Sequence, residues 1–327
     1  MRLGGEAAYA VEVHNRNEVH EAITWASQRQ LDVIVVGTGS NIVWRDDGFS
    51  GLLIINRIKG YEDFIEDDTN HYITIGSGEL WDNVVQRSVN DGLTGVEALS
   101  LIPGTAGATP IQNVGAYGQE ISQTLVGVEA YDIPAKKFVS ISQQECAFGY
   151  RTSRFKTVDR SRYVITAITV HLLRDNPQPP FYPLLQTYLD EHQISERTPS
   201  IIRDAVINIR QNRLPDPAKI ANNGSFFANP VIDKQQFGQL LSDYPVIPHW
   251  EVPKGVKIPA AWLIEQAGFK NAHDSETGMA TWQNQALILV NEHAGSTADL
   301  LKFRNKIVQA VQDKFNITLI QEPELLP

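Results

Sequence analysis

Cysteine occurs once in 327 residues, as Cys146. Internal disulfides and cysteine-based metal clusters are thereby excluded, and a reducing compartment fits. Positive charge is also scarce: 28 Lys and Arg stand against 38 Asp and Glu, a net charge of −10. A chain so acidic lacks the basic face that neutralises phosphate backbones, so no nucleic-acid partner is expected. Any anionic ligand must be held by local donors working against the overall field. No apolar stretch follows Arg2 and none is long enough to span a bilayer; a soluble, cytoplasmic protein without membrane insertion is expected. The dinucleotide fingerprint GxGxxG is missing, and so is the GxSxG elbow of serine hydrolases. Neither the eight histidines nor the acidic residues show metal-ligand spacing, so no metal is expected. Short repeats and low-complexity tracts are lacking too.

What is present reads as an ordinary globular chain, 42% hydrophobic and 20% charged, long enough for two or three domains. Asn15 and Glu18 mark a helix start, with Val19, Ala22, Ile23 and Ala26 as one apolar stripe. Val33–Val36 reads as a strand buried on both faces, and Leu52–Ile55 as the next strand. His71–Ser77 alternates, and a helix from Trp81 ends at Gly92. Gly127–Tyr131, Lys137–Ile141 and Tyr163–Leu173 are β-rich. Pro177, Pro179 and Pro180 break the stretch up to Tyr182 into a loop. Thr198-Pro199 opens a helix that stops before Pro215, and Leu214–Lys219 suits a linker. A helix over Ala260–Ala267 closes at Gly268, Ala286–Asn291 is a strand, and Ser296 caps a helix through Phe315. Ile317–Ile320 is expected as a terminal strand returning to the N-terminal sheet.

Several stretches carry possible chemistry. Leu101–Gly118, LIPGTAGATPIQNVGAYG, exposes backbone over many residues. Taken alone it reads as a buried crossover ahead of a cofactor cradle. Gly37-Thr38-Gly39-Ser40-Asn41 ends a strand in a turn whose amides could form a diphosphate nest, or merely a hairpin-type turn. FGYRTSRFK (148–156) gathers Arg151, Arg154 and Lys156 around aromatics, where a surface role is the default. NNGSFFANP (222–230) presents Ser225 between Gly224 and what reads as a dry wall of Phe226 and Phe227; by itself this is a turn serine. Glu322 and Glu324, near the end of the chain, read alone as a solvated tail.

Together, in this order and spacing, the glycine-rich segments and NNGSFFANP resemble the UDP-N-acetylenolpyruvylglucosamine reductases (UDP-N-acetylmuramate dehydrogenases, the MurB family), from about Met1 to Glu324. The resemblance implies an α+β fold of three domains. Two make a PCMH/vanillyl-alcohol-oxidase-like FAD-binding unit, residues 1–57 completed by 317–327, and residues 58–213. The third, 214–316, is an α/β substrate domain. Non-covalent FAD is implied at Gly37, Gly39, Ser40, Asn41, Pro103, Gly104, Gly107, Ala108, Thr109, Gln112, Asn113 and Gly115. No His or Cys lies in 37–44 or 101–118 to attach it covalently. The implied reaction is NADPH-dependent reduction of UDP-N-acetylglucosamine enolpyruvate to UDP-N-acetylmuramate, in peptidoglycan precursor synthesis. In it Ser225 gives a proton to carbon, while Arg151 and Glu324 stabilise charge. Tyr150, Tyr182, Arg213, Asn229 and Gln285 match substrate contacts, and a tyrosine loop marks the type I-like subclass. Partners are limited to NADPH and the nucleotide sugar, with a monomer expected. Two alternatives are an FAD-dependent alcohol or sugar oxidase of the same fold and a non-catalytic nucleotide-sugar binding protein.

Overall fold

The computed structural model describes residues 1–327, which divide into two compact units. The larger comprises residues 7–40 and 49–210; the smaller comprises 1–6, 41–48 and 211–327.

The larger unit holds two main sheets and a short two-stranded pair, Gly115–Ala116 with Gln119–Glu120. In the first, Phe49–Asn56 is central, paired in parallel with Ala7–Val13 on one side and Val33–Val36 on the other. Asn15 caps the helix Arg16–Gln28, its side chain accepting from Glu18 N–H at 3.0 Å, and the stripe Val19, Ala22, Ile23, Ala26 is buried. Val33–Val36 is an edge strand whose four residues are all half-buried. The wholly apolar run predicts burial on both faces; an edge position leaves one side of the strand uncovered.

The second sheet is antiparallel, in the order Lys137–Ser142, Leu125–Asp132, Tyr163–Leu173, Asn70–Gly76, Tyr61–Ile65. Its long third strand binds a neighbour on each side, and the bounds of that strand coincide with the β-branched run in the sequence. The helix Trp81–Asn90 packs Trp81, Val84, Val85 and Val89 into the same core as Ile73, Ile75 and Ile168. Pro183–Glu191 and Pro199–Arg213 form a helical layer joined through Leu185, Leu189, Ile202 and Val206. Each carries a proline at its first position, where no backbone donor is lost.

The smaller unit is built on a sheet ordered Ala221–Ser225, Gln285–Asn291, Met279–Trp282, His273–Asp274. The helix Thr297–Phe315, capped by Ser296, lays Leu300, Phe303, Ile307 and Val311 into its core. Gly268, at φ +92°, ends the helical turns that begin at Ala260. Ile317–Ile320 is not a strand of any sheet: Ile317 and Leu319 are buried and the chain runs beside 226–228, with Ala228 N–H donating to Ile320 O at 3.0 Å. The terminal strand is Glu324–Leu326, parallel to Ile42–Trp44. The strand expected at Ile317–Ile320 is thus absent, and Ile317 and Leu319 fill a core instead of entering a ladder.

Candidate active site

In the larger unit the two glycine-bearing turns pack on each other. A Cβ on Gly37 would come within 2.3 Å of Thr105 Oγ1, and one on Gly104 within 3.3 Å of Ser40 Oγ. Ser40 Oγ donates to Pro103 O at 3.0 Å, tying the turns together. Gly107 is glycine for a similar reason, since a Cβ there would lie 2.5 Å from Ser77 Cβ. Gly39 and Gly104 differ: they hold φ of +71° and +140°, and neither amide donates to a backbone carbonyl. Amides turned out by such dihedrals form the kind of concavity that takes a diphosphate. These residues therefore fit a dinucleotide such as FAD, with Pro103 and Ala108 exposed on the same loop.

Other loop residues face inward. Thr109 Oγ1 donates to Ala106 O at 2.7 Å, and Gln112 Oε1 accepts from Lys156 Nζ at 3.5 Å. Asn113 is 2% exposed; its Nδ2 donates to Glu120 Oε2 (2.8 Å) and Gly149 O (3.2 Å), and its Oδ1 accepts from Ser122 N–H. The start of the loop is anchored by Asp82, whose Oδ1 accepts from Leu101 N–H at 2.5 Å and from Arg203 Nη1 at 2.7 Å. Arg203 Nη2 reaches the second oxygen at 3.0 Å. Burial opposes ionisation of Asp82, but Arg203 and the Leu101 amide together hold its carboxyl below the usual range. Arg210 Nη2 donates to Leu101 O at 3.2 Å, and burial pulls its guanidinium below the usual arginine value.

Arg151 occupies the tip of a tight turn. Gly149 and Thr152 exchange backbone bonds at 3.0 and 3.3 Å, leaving Tyr150 and Arg151 between them. Arg151 has φ +54°, a left-handed conformation that costs a non-glycine residue roughly 1–2 kcal/mol. Its Nη2 donates to Gly115 O at 2.6 Å, so the guanidinium lies over the end of the glycine-rich loop. Tyr182 is the residue just before the helix Pro183–Glu191 and is exposed. Its ring meets Tyr117 edge-on at 5.9 Å between centroids, beside Gly118. The larger unit thus brings together the loop, Tyr150, Arg151 and, at Gly118, Tyr182.

In the smaller unit Ser225 is the exposed last residue of Ala221–Ser225. Asn222 Oδ1 accepts from Gly224 N–H at 2.9 Å, Gly224 takes φ +68°, and the ladder shifts register between Asn222 and Ser225. Phe226 and Phe227, which follow the serine, are fully buried in the core, ring centroids 5.4 Å apart. Glu322 N–H donates to Phe226 O at 2.9 Å, and Glu324 N–H to Asn41 O at 3.0 Å. Ser225 and Glu324 thus stand on adjoining segments, with Asn41 alongside. Asn229 Oδ1 accepts from Ala260 N–H at 2.9 Å, satisfying the first amide of the short helix Ala260–Ile264. Gln285 opens its strand half-buried, and Arg213 ends the helix Pro199–Arg213.

Residues 7–141 match the FAD binding domain family, and 216–326 match the C-terminal domain of UDP-N-acetylenolpyruvoylglucosamine reductase. The reductase of that name from Ralstonia nicotianae is 39% identical over 330 residues, covering 100% of this chain and 96% of its relative. The chain belongs to the UDP-N-acetylenolpyruvoylglucosamine reductase family. An Escherichia coli member is 37% identical, over 98% of this chain and 91% of its own. The crystal structure of the Thermus caldophilus reductase superposes with a TM-score of 0.66 at 21% identity, over 97% of this chain and 92% of that one, a likeness of fold. No helix here is long and apolar enough to cross a membrane. Within the family match, Arg151, Tyr150, Tyr182 and Arg213 fall outside both matched segments. Sequence reading missed Asp82, Glu120 and Arg210, which have no local motif and gain their meaning only from contacts made by folding.

Proposed function

We propose that the chain reduces UDP-N-acetylglucosamine enolpyruvate to UDP-N-acetylmuramate with NADPH as hydride donor, in the cytoplasm and as a monomer. Membership of the family across the whole chain supports this over an oxidase or a silent binding protein. FAD, held non-covalently, supplies the hydride chemistry between NADPH and the vinyl group. The amides of Gly39 and Gly104 would hold its diphosphate, and the loop from Pro103 to Gly115 its remaining length. Domain boundaries near 57, 213 and 316 remain part of this reading.

The protein's own residues then deal with charge and a proton. Hydride arriving at the terminal vinyl carbon leaves carbanion or enolate character at the carbon bearing the carboxylate. Arg151 offers planar, charge-assisted bonds to that carboxylate and holds the charge that develops there. Ser225 delivers the proton. A hydroxyl is a weak acid, so it serves only a very basic acceptor, and Glu324 acts with it. Tyr182 and Arg213 grip the substrate diphosphate, with Tyr150, Asn229 and Gln285 as further polar contacts. The observation that carries the proton assignment is the tie between 225–228 and 320–324, which brings serine and glutamate onto adjoining segments.

The test is rapid mixing in two steps. NADPH should bleach the flavin absorbance, and the enolpyruvyl substrate should restore it much faster than dissolved oxygen does. Restoration by oxygen alone would favour the oxidase.

A further inference from the structure

Glu120 has no part in the reaction described above, yet it contacts both Asn113 and Arg151. The two short strands Gly115–Ala116 and Gln119–Glu120 pair so that Gly115 lies opposite Glu120. A Cβ on Gly115 would come within 2.8 Å of Glu120 Cγ and 3.0 Å of Arg151 Nη1. Glycine at this position is what lets the carboxylate and the guanidinium share one small volume. Glu120 Oε1 lies 3.9 Å from Arg151 Nη1, within ion-pair range but beyond a hydrogen bond. The other oxygen, Oε2, is held at 2.8 Å by Asn113 Nδ2.

Asn113 cannot yield easily. It is buried at φ +50°, its Oδ1 is engaged by Ser122 N–H, and its Nδ2 also reaches the carbonyl of Gly149, the residue that opens the Arg151 turn. One amide side chain thus fixes both the carboxylate and the turn. Glu120 is kept from collapsing onto the guanidinium, while Arg151 rests on the carbonyl of Gly115 at 2.6 Å.

We propose that Glu120 is a positioning residue for Arg151: a counter-ion held at a fixed offset by Asn113, which restrains the guanidinium and cancels part of its charge toward an incoming carboxylate. This rests on the reading that Arg151 meets the substrate carboxylate. The cancelled charge weakens ground-state attraction for the anion, and the restraint keeps the fork aimed at the place where charge develops.

The experiment uses the FAD-loaded protein and measures the dissociation constant of the enolpyruvyl substrate from the change it makes in the oxidised flavin spectrum. Glu120→Gln keeps an oxygen for Asn113 and removes the charge. Substrate should bind roughly two- to fivefold tighter, the range of a part-exposed ion pair. Reoxidation at saturating substrate should slow, so that KM and kcat fall together. Glu120→Asp keeps the charge and should bind substrate nearly as the native protein does. Glu120→Met, also uncharged and of similar length, serves if the amide variant does not retain flavin. The gain in affinity should vanish when Glu120→Gln is combined with Arg151→Ala. Unchanged or weaker binding in both uncharged variants, or the same gain with Arg151 removed, would overturn the proposal. If Arg151→Ala alone leaves affinity and reoxidation untouched, the role of Arg151 falls first, and that of Glu120 with it.

Discussion

The backbone N–H of Glu322 bonds the carbonyl of Phe226 at 2.9 Å, which joins the approach to Glu324 to the exit from Ser225. Two residues beyond Glu324, Leu326 is buried and pairs with Trp44 in the parallel ladder. The last strand is therefore what holds the glutamate in register with Asn41. Leu326→Asp forces a charge into that position and should cost roughly 2–4 kcal/mol. Urea unfolding should show this loss, and flavin reoxidation by substrate should drop more than flavin reduction by NADPH. Equal rates in both half-reactions would mean that the strand does not position Glu324.

Gly39 is the sharper test of the cofactor site. At φ +71° a β-branched side chain is strained. Gly39→Val should lower FAD occupancy of the purified protein at least tenfold while the apoprotein keeps its circular dichroism. A fully yellow variant would move the diphosphate elsewhere. Gly37 is the control: a side chain there clashes with Thr105, so Gly37→Val should hurt stability along with occupancy.

Asp82 couples the loop to pH. Its folded value lies below the ordinary 3.8, so the stability it contributes is complete above about pH 4 and disappears as pH falls through the folded value. Asp82→Ala leaves the nearly buried Arg203 without its carboxylate, which should cost about 3 kcal/mol at neutral pH. The gap between native and variant unfolding midpoints should be flat from pH 8 to 5 and shrink below 3.8. A gap that stays constant down to pH 3 would mean that the carboxylate's charge is not what Arg203 needs.

Capped, striped helices were legible in the chain, because Asn15 and Ser296 mark their starts by local chemistry that folding only completes. The same is true of Tyr163–Leu173, whose branched residues favour a sheet wherever it lies. The helix Pro183–Glu191 was hidden because the prolines before it read as loop, and Tyr182-Pro183 looked like more of the same. Strand Ala7–Val13 lacks a clean alternation, as most of its residues are exposed. At the site, glycines advertised themselves, but not their reasons: Gly37 and Gly107 are small for protein neighbours, whereas Gly39 and Gly104 hold positive φ. Nor could spacing reveal that Phe226 and Phe227 turn into the core, or that Glu120 lies opposite Gly115. Those are outcomes of long-range packing.

Ser225 offers the most exacting prediction, because the reaction divides into halves that need it unequally. Reduction of the flavin by NADPH requires no proton at a substrate carbon, whereas reduction of the enolpyruvyl group does. Ser225→Ala should therefore reduce at a near-native rate and reoxidise about 10²–10⁴-fold more slowly, the span of general acid catalysis. Ser225 is exposed at the end of its strand, whereas Phe226 and Phe227 are buried. Substrate affinity should change by no more than about 0.5–1.5 kcal/mol, the worth of one neutral hydrogen bond. Ser225→Cys should recover part of the rate, since a thiol is the stronger acid. A solvent-deuterium effect that is larger in the alanine variant than in the native protein would mark water as the substitute. Equal damage to both half-reactions would make Ser225 a turn residue that merely ends its strand, and Glu324, held by Asn41 on the adjoining segment, would be the next group to test as the donor.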